Sequence, residues 1–259
     1  MESFLPVNLD SFNQAKLDSV SLKSYQRKIM FKQANKNIRN TIYGVLCQSP
    51  IENNQVNFGN GTAFMVAPGI CVTAAHVLHI EGDKTKPVHA RIEVIRSPDI
   101  GKQMNVARLL AEDLDRDIAL LEIINPLDST CVTFHRLPIE SGTNCGSLGF
   151  PLANVTERNH QMAFNLVERF QGAYISAFQK LNSHGNQVFD FYETDALMYG
   201  GSSGCPGFTN DEKIFGMHVA TITDGIAKTN SSRLAIALWI PSMDIIAFAK
   251  KHGVHHLKF

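Results

Sequence analysis

The sequence predicts an all-β fold of barrels or sandwiches, with helices only at its two ends. Two observations carry this expectation. After Asn40 the chain runs as twelve short β-type stretches separated by Gly, Pro, Asn and Asp, with no helical segments alternating between them as βαβ units would require. A polar, strand-poor passage from Pro126 to about Gly142 then divides the stretches into two groups. At 259 residues, 44% of them apolar, the chain is long enough to bury a core without disulfides, as one domain of two halves or as two small domains.

The first forty residues stand apart. From Ser21 to Arg39 there are six basic residues (Lys23, Arg27, Lys28, Lys32, Lys36, Arg39) and no acidic ones, with Leu22, Ile29, Met30 and Ile38 between them. That spacing suits an amphipathic helix whose charged side is a solvated face; a docking surface for a regulatory partner or an anionic lipid is the sharper reading. The strands expected next are Thr41–Cys47, Gly61–Val66, Ile70–Thr73, Ala90–Arg96, Asn105–Ala111 and Ile118–Glu122. Beyond the strand-poor passage come Cys145–Gly149, Phe164–Tyr174, Val188–Glu193, Gly204–Phe208, Ile214–Thr221 and Ala235–Trp239. The tail reads as a helix from Ser242 to His252, with Ser242 as its N-cap, Asp244 in the first turn, two lysines in the last and Gly253 past the end. After it, His252, His255 and His256 form a cluster in what is expected to be a frayed, solvated end; a weak metal site is the alternative.

Composition excludes several classes of function. Twenty-four Lys and Arg balance 24 Asp and Glu, so no net field draws the chain to nucleic acid or a membrane, and no nucleic-acid partner is expected. The charge-free stretch Asn53 to Ile80 is cut by Pro68-Gly69 and contains Thr73, His76 and His79, which suits two buried strands and a turn better than a transmembrane helix. The five cysteines (Cys47, Cys71, Cys131, Cys145, Cys205) are odd in number and form no CxxC pair, so they are expected to be reduced and buried. The amino terminus lacks the apolar core of a signal peptide, and a cytoplasmic location is the expectation.

Three short segments carry the chemistry: Thr73-Ala74-Ala75-His76-Val77, Asp115-Arg116-Asp117-Ile118-Ala119, and Gly200-Gly201-Ser202-Ser203-Gly204-Cys205-Pro206. Each alone is weak. A serine hydroxyl is a poor nucleophile at neutral pH and needs an imidazole as general base, and the imidazole needs a carboxylate on its far side to fix its tautomer. In the order His, Asp, Ser, with gaps of 41 and 86 positions, the segments resemble the chymotrypsin-fold serine proteases.

The resemblance extends from about Thr41 to Pro241. Gly61-Thr62-Ala63-Phe64 is similar to the strand before the catalytic His in the HtrA and glutamyl-endopeptidase branches, and Gly146-Ser147-Leu148-Gly149-Phe150-Pro151 is similar to their element opening the second barrel. It implies two antiparallel six-stranded β-barrels at about 41–127 and 142–241, a basic extension at 1–40 and a C-terminal helix and tail at 242–259, with the active site between the barrels. It further implies peptide-bond hydrolysis through an acyl-enzyme, with Ser203 as nucleophile, His76 as general base and then acid, Asp117 orienting it, and the N–H groups of Gly201 and Ser203 as oxyanion hole. Protein or peptide substrates follow, and neither cofactor nor metal is called for.

Phe215-Gly216-Met217-His218-Val219-Ala220 resembles the S1 segment of glutamyl endopeptidases and of viral 3C-type proteases, which implies that His218 meets a P1 Glu or Gln, with Met198 and Thr221 as further pocket residues. Met198 and Thr221 depart from the Thr and Gly usual there, so a small or apolar P1 residue competes. Ser202 stands where the digestive enzymes carry Asp, and there is no Ile-Val-Gly-Gly-like start, so activation by amino-terminal cleavage is not expected. Cys205 after the nucleophile motif has a second reading as a nucleophile, against which its neighbours fit a strand start. The rival of another class is a binding or scaffold protein that keeps the fold and is catalytically latent or inactive.

Overall fold

The computed structural model describes residues 31–50, 56–126, 130–158, 161–182, 187–223 and 233–259. Six strands close into the first barrel in the order β1-β2-β3-β6-β5-β4. They are β1 (Ile42–Pro50), β2 (Val56–Ala67), β3 (Ile70–Ala74), β4 (Arg91–Arg96), β5 (Asn105–Asp113) and β6 (Ile118–Ile123). Pairing is antiparallel throughout, from Ile42 opposite Phe64 in β1–β2 to Ile70 opposite Glu122 in β3–β6. Apolar alternation fills the interior with Val45, Phe64, Val72 and Leu120, all fully buried.

The second half is built from β8 (Asn144–Gly149), β11 (Arg169–Asn182), β12 (Val188–Thr194), β13 (Pro206–Thr209), β14 (Lys213–Thr223) and β15 (Arg233–Pro241). In the order β13-β8-β11-β12-β15-β14 they form one sheet, and a further β13–β14 pairing joins its ends, so these six strands also close on themselves. Trp239 anchors this core, its Nε1–H donating to Thr194 Oγ1 at 2.9 Å, with Phe215 and Tyr192 packed in succession beside it.

Several expectations need correction. The strand-poor passage contains β7 (Thr133–Phe134), which pairs parallel to β14 on the outside of the ring, while the six strands of the ring itself pair antiparallel. The single strand expected over Phe164–Tyr174 is two. The hairpin of β9 (Asn154–Arg158) and β10 (Gln161–Asn165) ends before Leu166, and β11 starts at Arg169. The break lies where Leu166 turns toward the first barrel, against Gly44, and Glu168 accepts from Arg39 Nε at 2.9 Å.

Residues 31–38 form a helix, α1, which buries Ala34 and Ile38 and exposes Lys32 and Lys36. The rest of the basic segment, including Lys23, Arg27 and Lys28, lies outside the described residues. The C-terminal helix, α2, spans Ser242–Lys251, but Ser242 is not its cap. Pro241 holds that position, and the Ser242 hydroxyl donates instead to the carbonyl of His135 at 2.9 Å. Nor is the tail frayed: Val254 and Leu257 are buried, and Phe134 N–H donates to the Lys258 carbonyl at 3.0 Å. His252 packs its ring edge-on against Phe248. Among the described residues no helix is long and apolar enough to cross a membrane.

Candidate active site

β3 delivers the histidine. Ala74 and Ala75, both fully buried, let the strand end turn tightly into a 3-10 segment, Ala75–Leu78, that carries His76 to a partly exposed position. The partner carboxylate comes from the β5–β6 turn, where Asp117 adopts φ +60°, a left-handed conformation that Asp tolerates better than most residues. Three hydrogen bonds join the segments. Ala75 N–H donates to the Asp117 carbonyl at 3.2 Å, His76 N–H to Oδ1 at 2.8 Å, and the His76 ring meets Oδ2 through Nδ1 at 2.6 Å. With Asp117 ionised, Nδ1 carries the proton and Nε2 is left as an acceptor. Burial pushes the Asp117 carboxyl up, but the His76 hydrogen bonds and the charges of His76 and Lys84 outweigh it and hold the group below the usual carboxylate range.

Ser203 lies on the 200–205 loop at the start of β13, and backbone crowding places it. A Cβ on Gly204 (φ +84°) would fall 2.0 Å from the Thr62 carbonyl, and one on Gly201 (φ +92°) 2.4 Å from that of Phe150. No side chain fits at either position. The loop is stitched to the first barrel by Thr62 N–H donating to the Ser203 carbonyl at 2.9 Å, and by the Thr62 hydroxyl donating to the Gly201 carbonyl at 2.8 Å. Among the described residues the N–H groups of Gly201 and Ser203 are committed to no protein acceptor, and no hydrogen bond yet joins Ser203 Oγ to His76 Nε2. Catalytic hydrogen bonds are often long before substrate binds.

His218 lies behind Ser203, its strand tied to the loop by Gly204 N–H to the His218 carbonyl at 2.8 Å and His218 N–H to the Cys205 carbonyl at 2.9 Å. The ring is 3% exposed and packs edge-on to Trp239 at 5.2 Å. Backbone groups of Ser202 and Ala220 are near, yet neither ring nitrogen makes a hydrogen bond of good geometry among the described residues. Burial, then the neighbouring His76, pulls its pKa down to about 4, so the ring is neutral at pH 7.

Thr221 and Met198 are brought together, the Thr221 hydroxyl donating to the Met198 carbonyl at 3.4 Å. Met198 also lines a cavity of about 280 Å³ behind the 200–205 loop, with Ser202 and Cys205; His218 and Thr221 are not among its lining residues. Burial raises the Cys205 thiol far above its ordinary value, which leaves the second-nucleophile reading without a thiolate.

Two neighbours of the site are not singled out as site residues by the sequence. Thr62 left a trace, as a polar residue in the apolar run Gly61–Val66; Lys84, in a polar loop, left none. His79, three positions after His76, is 4% exposed and held between the Lys86 carbonyl at 2.6 Å and Glu112 at 2.9 Å.

Residues 61–217 match the family model of the trypsin-like peptidase domain. The chain belongs to that family. Among solved structures it is similar to the Rv3671c protease of M. tuberculosis. The active form matches with a TM-score of 0.64 at 16% identity over 87% of this chain and 86% of that one. The inactive form matches with 0.62 at 16% identity over 85% and 92%. At such identity the likeness establishes the fold shared by this trypsin-like domain, a chymotrypsin-like pair of β-barrels. No curated protein sequence matches the chain.

Proposed function

We propose that this trypsin-like domain is a serine endopeptidase working through an acyl-enzyme. The observation that carries the reading is the doubly bonded His76–Asp117 pair facing a glycine-bearing loop whose two N–H groups are uncommitted. In this mechanism His76 Nε2 removes the Ser203 proton as Oγ attacks the peptide carbonyl carbon. The imidazolium is stabilised by Asp117, and the carbonyl oxygen, now negative, is met by the N–H groups of Gly201 and Ser203. His76 then returns the proton to the leaving amine, and water repeats the sequence to free the acid. Each oxyanion donor contributes about 100- to 1,000-fold in rate in comparable sites.

For specificity, we propose a P1 Glu or Gln whose side-chain oxygen accepts from the His218 ring, which makes no hydrogen bond of good geometry among the described residues. A substrate lacking that oxygen leaves the buried donor unsatisfied.

The rival, a latent protease fold, is favoured by the missing Ser203–His76 hydrogen bond. Fluorophosphonate labelling separates the two, run on purified protein and in native extract with Ser203→Ala as control. Labelling of wild type alone supports the peptidase, and labelling confined to the extract supports a latent enzyme. Equal reactivity of wild type and Ser203→Ala in both settings overturns catalysis. Cleavage of a peptide library by wild type and His218→Ala tests the P1 reading, which fails if the preference is unchanged.

A further inference from the structure

We infer that Lys84 is a positioning residue for the catalytic pair, bridging the Asp117 carboxylate to the turn that carries it. This rests on the reading of His76 and Asp117 as the base of a serine peptidase. Lys84 Nζ donates to the Leu114 carbonyl at 2.6 Å and lies 3.9 Å from Asp117 Oδ1, the oxygen that accepts from the His76 backbone. Its own loop is built to hold it. Asp83 Oδ1 accepts from Thr85 N–H at 2.9 Å and the Thr85 hydroxyl at 2.7 Å, while Lys86 N–H returns to the Asp83 carbonyl at 2.9 Å. The Ile80–Pro87 hydrogen bond and the His79–Val88 bridge close the base of that loop just beyond the 3-10 segment of His76. One side chain therefore ties the segment bearing the base to the turn bearing its carboxylate.

Such a bridge has two consequences. It fixes the left-handed turn at Asp117, whose strained conformation needs support from its surroundings. It also sets a positive charge beside the carboxylate that stabilises the imidazolium, so part of that carboxylate's field is spent on Lys84. The other charged and titratable groups around the pair are already occupied or neutral. In the same turn Arg116 is paired with Asp113 at 3.0 Å and covers the Phe189 ring, and Asp115 accepts from Gln187 at 3.3 Å. In the adjoining loop Glu81 pairs with Lys86, and His79 with Glu112; His89 is buried and has no hydrogen-bond partner among the described residues. From β14, His218 faces the pair as a neutral ring. Lys84 is 28% exposed at its side chain, so its influence is partly screened.

The test compares Lys84→Met, which keeps the chain and removes the charge, with Lys84→Arg, which keeps both. For Lys84→Met, the acid limb of kcat/KM against pH is expected to move upward by on the order of half a unit at low salt. Its kcat should fall several-fold with KM changed by less than about twofold, and Lys84→Arg should restore both. A second readout needs no turnover: in a Ser203→Ala background, the pH at which the His76 ring signal titrates by NMR moves upward with Lys84→Met, and less so in 1 M salt. Should Lys84→Met not fold, Lys84→Gln carries the same expectation. An unmoved His76 titration in a folded Lys84→Met or Lys84→Gln protein overturns the assignment. A moved titration in a protein that neither cleaves nor labels leaves Lys84 in place and removes the peptidase reading.

Discussion

Thr62 on the first barrel donates its hydroxyl to the carbonyl of Gly201 on the second, at 2.8 Å. The same oxygen accepts from Phe150 N–H at 3.0 Å, and the residue is fully buried. One hydroxyl thus holds both the loop that carries the proposed oxyanion donors and the strand end beside it.

Thr62→Val keeps the shape and removes the hydroxyl, stranding a buried carbonyl and a buried N–H. The expected loss is about 2–6 kcal/mol of stability, at roughly 1–3 kcal/mol for each of the two unsatisfied groups, read by denaturant unfolding. The rate of fluorophosphonate labelling should fall on the order of tenfold or more as the loop loosens, and Thr62→Ser should recover most of both losses.

Asp117→Asn should leave the fold intact and reduce kcat by about 10⁴-fold, the loss the same change gives in serine proteases with a Ser-His-Asp triad. An amide can present its N–H to Nδ1 and select the tautomer with Nε2 protonated, which cannot take the Ser203 proton. A drop below tenfold in peptide hydrolysis would count against Asp117 as the orienting carboxylate.

The glycines of the 200–205 loop should separate by position. At Gly204 a Cβ meets backbone at 2.0 Å, whereas at Gly200 nothing lies within 4 Å. Gly204→Ala is expected to cost more than about 3 kcal/mol or prevent folding, and Gly200→Ala to stay within about 0.5 kcal/mol of wild type, both read by thermal or denaturant melts.

His218 makes stability depend on pH. Its folded pKa, about 4, lies below the ordinary 6.5, so between those values the unfolded chain holds a proton that the folded one rejects. The contribution is complete above about pH 6.5 and is lost as pH falls toward 4, a change on the order of 3 kcal/mol. Unfolding midpoints at pH 7 and pH 4.5 should diverge more in wild type than in His218→Leu; equal divergence would mean the ring is not buried neutral.

How much of this was legible in sequence depends on the range of the interaction. Thr73-Ala74-Ala75-His76 reads locally, because a strand end that turns beside a neighbouring strand needs small residues and a base needs an imidazole. The run Phe164–Tyr174 misled, because apolar content cannot say which barrel takes Leu166. Ser242 looked like a cap because serine often is one, and only the fold brought the His135 carbonyl within reach of its hydroxyl.

The sequence by itself determined an all-β chain, the two groups of strands, and the ordered His, Asp and Ser segments with their glycines, since each depends on residue type and short spacing. Only the tertiary structure decided that Thr62 holds Gly201 across 139 positions, that Lys84 reaches Asp117, and that the tail docks beside Phe134. Those contacts arise when strands close into barrels and the barrels meet. Closure sets which distant backbones touch, and it leaves no local pattern in the chain.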